Sequence, residues 1–249
     1  MIIPTKEKGA DISRRDLLKK GGAMATVTLA SGVTLMSFGG KARADGLKPG
    51  ARWGLLIDAG KCPEDCSACV SACSKEHGWE NNGLNTDPQW IRKVTLREKS
   101  SGRENSLPVM CQHCDEPPCV DVCPTGASFK REDGIVLVNK HTCIGCRYCM
   151  MACPFKARSF VHEPVTDQRT HSPRGNGTVE GCNMCVHKID RGDGTTACVE
   201  ACQATGNNAM MFGDLNDPES DIAIAVSTYA SVELRADLGL GLGVRYQNI

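Results

Sequence analysis

The 249-residue sequence is short of the side chains that usually fill a core. Aromatic residues make up 4% of it, and the 41% counted as hydrophobic includes sixteen cysteines. Side-chain packing alone is thin support for a chain of this length, and metal–thiolate bonds are the expected source of the missing cohesion. Beyond residue 44 no stretch offers about 18 consecutive apolar residues, so no membrane span is expected there, and the body is read as soluble, meeting a membrane only through a partner. An excess of one charge is lacking too, since 29 basic and 29 acidic residues cancel. The cancellation hides an asymmetry. Residues 1–44 hold 8 of the basic and 3 of the acidic side chains, which leaves 21 against 26, a net of −5, for the rest. An acidic body argues against nucleic acid as a partner. None of the six histidines falls in an H-x-x-H pair, and no acid–base pair stands out, so no catalytic residue is assigned.

What is present begins with an address. Ser13-Arg14-Arg15-Asp16-Leu17-Leu18-Lys19 precedes an uncharged stretch from Gly21 to Gly40 and then Ala42-Arg43-Ala44, a small-residue cleavage site. A twin arginine ahead of a weakly apolar run resembles a Tat export signal. A membrane anchor is the competing reading, but the run is diluted by Gly, Ser and Thr and ends in a cleavage pattern. Residues 1–44 are therefore expected to be a removable signal, and the mature chain to reach the periplasm already folded.

The sixteen cysteines fall into four runs of four. The first is Cys62-x3-Cys66-x2-Cys69-x3-Cys73. The second is Cys111-x2-Cys114-x4-Cys119-x3-Cys123-Pro124, and the third Cys143-x2-Cys146-x2-Cys149-x3-Cys153-Pro154. The fourth is Cys182-x2-Cys185-x12-Cys198-x3-Cys202. The third run is the bacterial ferredoxin spacing without deviation. Three thiolates on a tight loop cap three corners of a cubane, while the fourth cysteine, where a helix is expected to begin, points to a neighbouring cluster. Runs are thus expected to work in pairs, and the whole chain to hold four [4Fe–4S] clusters. Structural zinc would use C-x2-C pairs, and only the fourth run could pass for such a site. Eight disulfides are the other alternative for an exported chain, but spacing this crowded suits them poorly.

Between the second and third runs, Ala127–Lys130 and Ile135–Val138 flank Arg131-Glu132-Asp133-Gly134, a hairpin signal. The expected fold class is α+β: two interleaved bacterial-ferredoxin-like modules with short hairpins and helices and a large irregular fraction. The inner module, about residues 105–165, is inserted in an outer one made of about 50–104 and 166–215, within a domain of residues 45–249 that ends in a tail from 216. Residues 162–181, with Pro164, Pro173, Gly175 and Gly177, read as an irregular surface connection. His113 and His187, beside ligand cysteines, and Trp53, Trp79 and Trp90 read as packing or supporting residues around the clusters.

Cys111-Gln-His-Cys-Asp-Glu-Pro-Pro-Cys, Arg131-Glu-Asp-Gly-Ile, Cys143-Ile-Gly-Cys-Arg-Tyr-Cys-Met-Met-Ala-Cys-Pro and the endings Phe212–Ser220 and Gly243–Tyr246 resemble the four-cluster iron–sulfur subunit of DMSO-reductase-type and NrfD-linked complexes. The resemblance covers about residues 50–249. It implies that Cys62, Cys66 and Cys69 share a cluster with Cys202, and Cys182, Cys185 and Cys198 one with Cys73. It likewise implies that Cys111, Cys114 and Cys119 go with Cys153, and Cys143, Cys146 and Cys149 with Cys123. The sequence departs from the family in the x3 spacing between Cys62 and Cys66, and in lacking proline after Cys73 and Cys202. The implied partners are an NrfD-type quinone-interacting membrane subunit and a second redox subunit. That second subunit is a multihaem c-type cytochrome in the sulfite-reduction-associated branch, which the leader and first run most resemble, and a molybdopterin subunit in the molybdenum branch. An autonomous ferredoxin is disfavoured by the long tail after Cys202.

Overall fold

The computed structural model describes residues 48, 50–166 and 168–249, together with the backbone of two short strands ahead of them. Those strands, β1 (Thr26–Ala30) and β2 (Val33–Met36), pair antiparallel within residues 1–44, a unit separate from 45–249. Arg14, Arg15 and Ala44 lie outside the described residues. No described helix is long and apolar enough to cross a membrane.

In the larger unit, helices and small sheets are set in much irregular chain. The apolar run of β3 (Trp53–Asp58) is buried along its centre, as a strand covered on both faces must be. It is flanked by two strands from the far end of the sequence. β10 (Met210–Asp214) runs antiparallel to it and β11 (Val244–Gln247) parallel. The chain thus leaves this sheet after Asp58 and returns only at Met210. The tail from residue 216 completes the sheet, with Tyr246 fully buried. Gly54 is required here, because a Cβ on it would lie 2.6 Å from the Gly243 carbonyl. Leu55, Ile57, Trp79, Trp90, Leu107, Met110 and Tyr246 share one buried cluster with Cys69, Cys73, Cys198 and Cys202. The core and the cysteine sites are therefore one object.

Between the sheet's outer elements lie three hairpins or strand pairs: β4 (Ile91–Arg97) with β5 (Glu104–Met110), β6 (Ser128–Lys130) with β7 (Val136–Val138), and β8 (Ser159–Phe160) with β9 (Val179–Glu180). The β6–β7 hairpin is the one read from Asp133-Gly134, with Gly134 in the left-handed region at φ +84°.

The helices follow the cysteines. α1 (Ala68–His77) carries Cys69 and Cys73, α2 (Pro118–Asp121) carries Cys119, α3 (Tyr148–Ala152) carries Cys149, and α5 (Ala197–Ala204) carries Cys198 and Cys202. α4 (Val186–Arg191) follows Cys185, and α6 (Asp221–Thr228) lies in the tail. Each cysteine-bearing helix starts just before the third cysteine of its run, a turn earlier than the expected start at the fourth. Prolines set the stops. Cys153, before Pro154, has left the helical region (ψ 112°), as a residue preceding proline tends to do. Cys73 and Cys202 have no such proline behind them, and α1 and α5 run on past both. α1 packs on α5 and α2 touches α3, so the third and fourth cysteines of paired runs face each other.

Candidate functional site

Two cavities mark the inner cysteines. One is lined by Cys123 together with Cys143, Cys146 and Cys149. The other is lined by Cys153 together with Cys111, Cys114 and Cys119. In each the fourth cysteine of one run joins the first three of the other. In the outer half, burial pushes the Cys69 thiol up to about 12, with the neighbouring thiols of Cys198, Cys62 and Cys202 adding to it. Burial likewise drives Cys73 well above the ordinary thiol value, next to Cys198 and Cys185. Cys182 is raised in the same way beside Cys73, Cys198 and Cys111. Asn207 Nδ2 donates to the Cys66 sulfur at 3.6 Å. The extra residue between Cys62 and Cys66 is taken up in a turn closed by the Cys66 N–H on the Pro63 carbonyl, 3.3 Å.

The cysteine loops aim donors at sulfur. The amides of Ser128, Val179, Met184 and Ala209 reach Cys123, Cys143, Cys182 and Cys202 at 3.3, 3.5, 3.4 and 3.3 Å. His113, Arg147 and Met184, each inside a Cys-x2-Cys segment, take positive φ angles of 45°, 64° and 56°. A non-glycine residue seldom holds that conformation without being over-determined by its surroundings. Burial raises the Cys123 thiol, but hydrogen bonds from Ser128, Thr125 and Ala127 outweigh it and leave the group below its usual value.

Cations complete the arrangement. Lys93 Nζ donates to Cys62 Sγ at 3.2 Å. Arg158, 7% exposed, donates through Nη2 to Cys119 Sγ at 3.1 Å and to Ser128 Oγ at 2.9 Å, while its Nη1 is buried without a partner. A guanidinium so placed needs an anion, and the sulfurs of the Cys111–Cys153 cavity it lines supply the negative charge.

The donor set fits a multi-iron cluster better than the alternatives. All sixteen cysteines are free of disulfides. Among the described residues no three of their sulfurs approach within 4.8 Å of one another, whereas a single tetrahedral zinc with Zn–S of about 2.3 Å holds its sulfurs only ~3.8 Å apart. Thiols pushed up to about 12 by burial, such as Cys111, Cys114 and Cys185, become thiolates only against strong positive charge, which a bound iron core provides.

Trp79 and Trp90 are buried in the cysteine-bearing core and Trp53 packs against it, stacked on Phe212 at 5.3 Å. His113 Nδ1 accepts from the Val136 amide at 3.0 Å and so joins the β6–β7 hairpin to the Cys111–Cys114 loop. Residues 162–181 are less superficial than expected: Ser172, Thr178 and Glu180 are buried, and Arg174 pairs with Glu180 through two bonds of 2.9 and 2.8 Å. Sequence reasoning missed Arg52, Lys93, Arg158 and Asn207 because nothing local distinguishes them from surface polar residues. Arg52 donates to the carbonyls of Gly134, His113 and Gly241, joining three distant segments.

Comparison with known proteins finds iron–sulfur proteins. Residues 104–215 match the family described as the 4Fe-4S dicluster domain. The chain is 40% identical over 225 residues to the Hdr-like menaquinol oxidoreductase iron-sulfur subunit 1 of Archaeoglobus fulgidus, covering 80% of this chain and 84% of that one. It is 38% identical over 182 residues to a tetrathionate reductase subunit of Salmonella typhimurium, covering 70% and 63%. To protein NrfC of Escherichia coli K12 it is 35% identical over 218 residues, covering 85% and 84%.

Proposed function

Because the chain belongs to the family of 4Fe–4S iron–sulfur electron-transfer subunits of oxidoreductase complexes, we propose that it relays electrons through four [4Fe–4S] clusters between a quinone-interacting membrane subunit and a second redox subunit. It carries no catalytic site of its own. The observation that carries the reading is the pairing of the second and third runs around common cavities, the fourth cysteine of each of these two joining three from the other.

Cubane clusters supply one-electron storage and transfer. The chain's own residues set the order. Cys62, Cys66, Cys69 and Cys202 hold one end. Cys73, Cys182, Cys185 and Cys198 come next, and Cys182 packs against both the outer core and the Cys111, Cys114, Cys153 group. Cys111, Cys114, Cys119 and Cys153 follow. Cys119 and Cys149 lie in one buried cluster and lead to Cys123, Cys143, Cys146 and Cys149. Cys146 is the one exposed cysteine of the sixteen, and Ile144, Tyr148 and Met151 around it are exposed too, so electrons exchange with a partner at this end. This order makes the chain two interleaved modules, the inner within the outer.

The twin arginine at Arg14 and Arg15 supports a periplasmic relay. The odd first run and the leader favour the sulfite-reduction-associated branch, where the subunit is DsrO and the partners are an NrfD-type membrane protein and a multihaem c-type cytochrome. The identity with a tetrathionate reductase subunit supports a molybdopterin partner as the second reading. Anaerobically purified protein should contain about sixteen iron and sixteen sulfide per chain, four clusters of four. A count near eight would overturn the four-site relay.

A further inference from the structure

The histidines, far apart in sequence, do not stay apart in the fold. α1 runs past Cys73 for one more turn because no proline stops it, and that turn ends in Glu76 and His77. His77 meets His187 of α4 and His171 of the connection between β8 and β9. Each of the three can present a ring nitrogen within 4.8 Å of the other two. Among the described residues this is the one group of three His, Cys, Asp or Glu side chains with ligand atoms so close. Glu76 stands beside two of them: its Oε1 lies 2.7 Å from His187 Nε2 and 3.6 Å from His171 Nε2.

We propose that His77, His171 and His187 form a binding site for one divalent cation of the zinc type, separate from the cysteine sites. Three imidazoles are the nitrogen donor set that zinc takes up in three-ligand tetrahedral sites, with a water in the fourth position. The crowding supports it. The His171 and His187 rings sit 4.1 Å apart between centroids and His77 is 5.6 Å from His187, while His187 Nδ1 is buried without a partner. A cation between the three rings would use their lone pairs together. The outer contacts are those that steady ligands at metal sites: Ser172 Oγ lies 3.1 Å from His77 Nδ1, and the Glu76 carbonyl 3.0 Å from His171 Nε2. His77 Nε2 also lies 3.4 Å from Cys185 Sγ, so the bound ion would fasten the 162–181 segment to α1 and α4 one side chain away from a cysteine site.

The test uses the full holoprotein with its clusters in place. After incubation with zinc chloride and gel filtration, one zinc per chain should remain alongside an unchanged iron content. Its X-ray absorption edge should show nitrogen and oxygen neighbours only, at about 2.0–2.1 Å. His171→Ala, remote from every cysteine in sequence and partly exposed, should weaken zinc retention at least tenfold without loss of iron. Should that variant lose iron by misfolding, the bulkier His171→Gln decides in its place, with the same loss of zinc expected. Failure to retain zinc, sulfur among its neighbours, or undiminished retention by the deciding variant would each overturn the proposal.

Discussion

Single side chains decide how much negative charge each cysteine site tolerates. Arg158 is the clearest case, a buried guanidinium whose close partners are Cys119 Sγ and Ser128 Oγ at 3.1 and 2.9 Å. Burial disfavours its charge, but the sulfurs of Cys119, Cys111 and Cys149 more than restore it and raise its pKa. Adding an electron to a site near this cation is easier than near a neutral group, by the worth of a charge-assisted hydrogen bond. Arg158→Met should therefore lower one cluster's midpoint potential by on the order of 50–100 mV, with iron content kept. A redox titration followed by electron paramagnetic resonance reads this directly, and four unshifted potentials would refute the role. Lys93, on Cys62, is half of a similar device at the other end of the chain.

At the scale of elements, the recurring unit is a short helix that opens at the third cysteine of a run, with the fourth cysteine four residues on. Four residues of α-helix bring side chains back to one face, so Cys69 and Cys73, or Cys198 and Cys202, both look across at the partner helix. In the inner half the two cysteines of each such pair line different cavities, Cys119 and Cys153 one, Cys123 and Cys149 the other. An iron anomalous map of crystals of the holoprotein should place iron within bonding distance of Cys153, Cys111, Cys114 and Cys119 together. If Cys153 instead shares its iron with Cys143, Cys146 and Cys149, the crossed assignment fails, and the order of electron transfer fails with it. Proline tunes the same unit. Pro124 and Pro154 cut α2 and α3 short, whereas their absence after Cys73 lets α1 reach His77.

At the scale of the whole molecule, the proposed relay would run from the Cys62 end, backed by the three-stranded sheet, to the exposed edge at Cys146. Tunnelling weakens steeply with distance, so a partner must dock where a ligand cysteine is nearest to solvent. Ile144, Tyr148 and Met151 offer apolar contact there, 67%, 54% and 71% exposed. Ile144→Glu with Met151→Glu should slow electron exchange with the redox partner and leave iron content and cluster spectra intact. Equal rates in stopped-flow mixing would remove this edge from the path. Export is the second prediction at this scale. With Arg14 and Arg15 both changed to lysine, precursor should accumulate in the cytoplasm with its iron bound, and mature protein beginning at Asp45 in the periplasm would contradict a Tat route.

Cysteine spacing by itself determined the kind of ligand and its division into four runs, and Asp133-Gly134 determined the hairpin, because each of these is a contest between residues a few positions apart. The helix starts were misplaced by about a turn, since local spacing does not say which cysteine opens the helix. The β4–β5 hairpin was not legible: Pro108 inside β5 lacks an N–H and speaks against a strand unless a partner is known. Only the tertiary structure decided which residues from distant segments meet. It set Arg158 against Cys119, brought Arg52 to three carbonyls, placed β11 of the tail beside β3, and gathered His77, His171 and His187. Such contacts depend on chain segments closing over long loops, and their free energy comes from burial and charge compensation that exist only once those segments are packed.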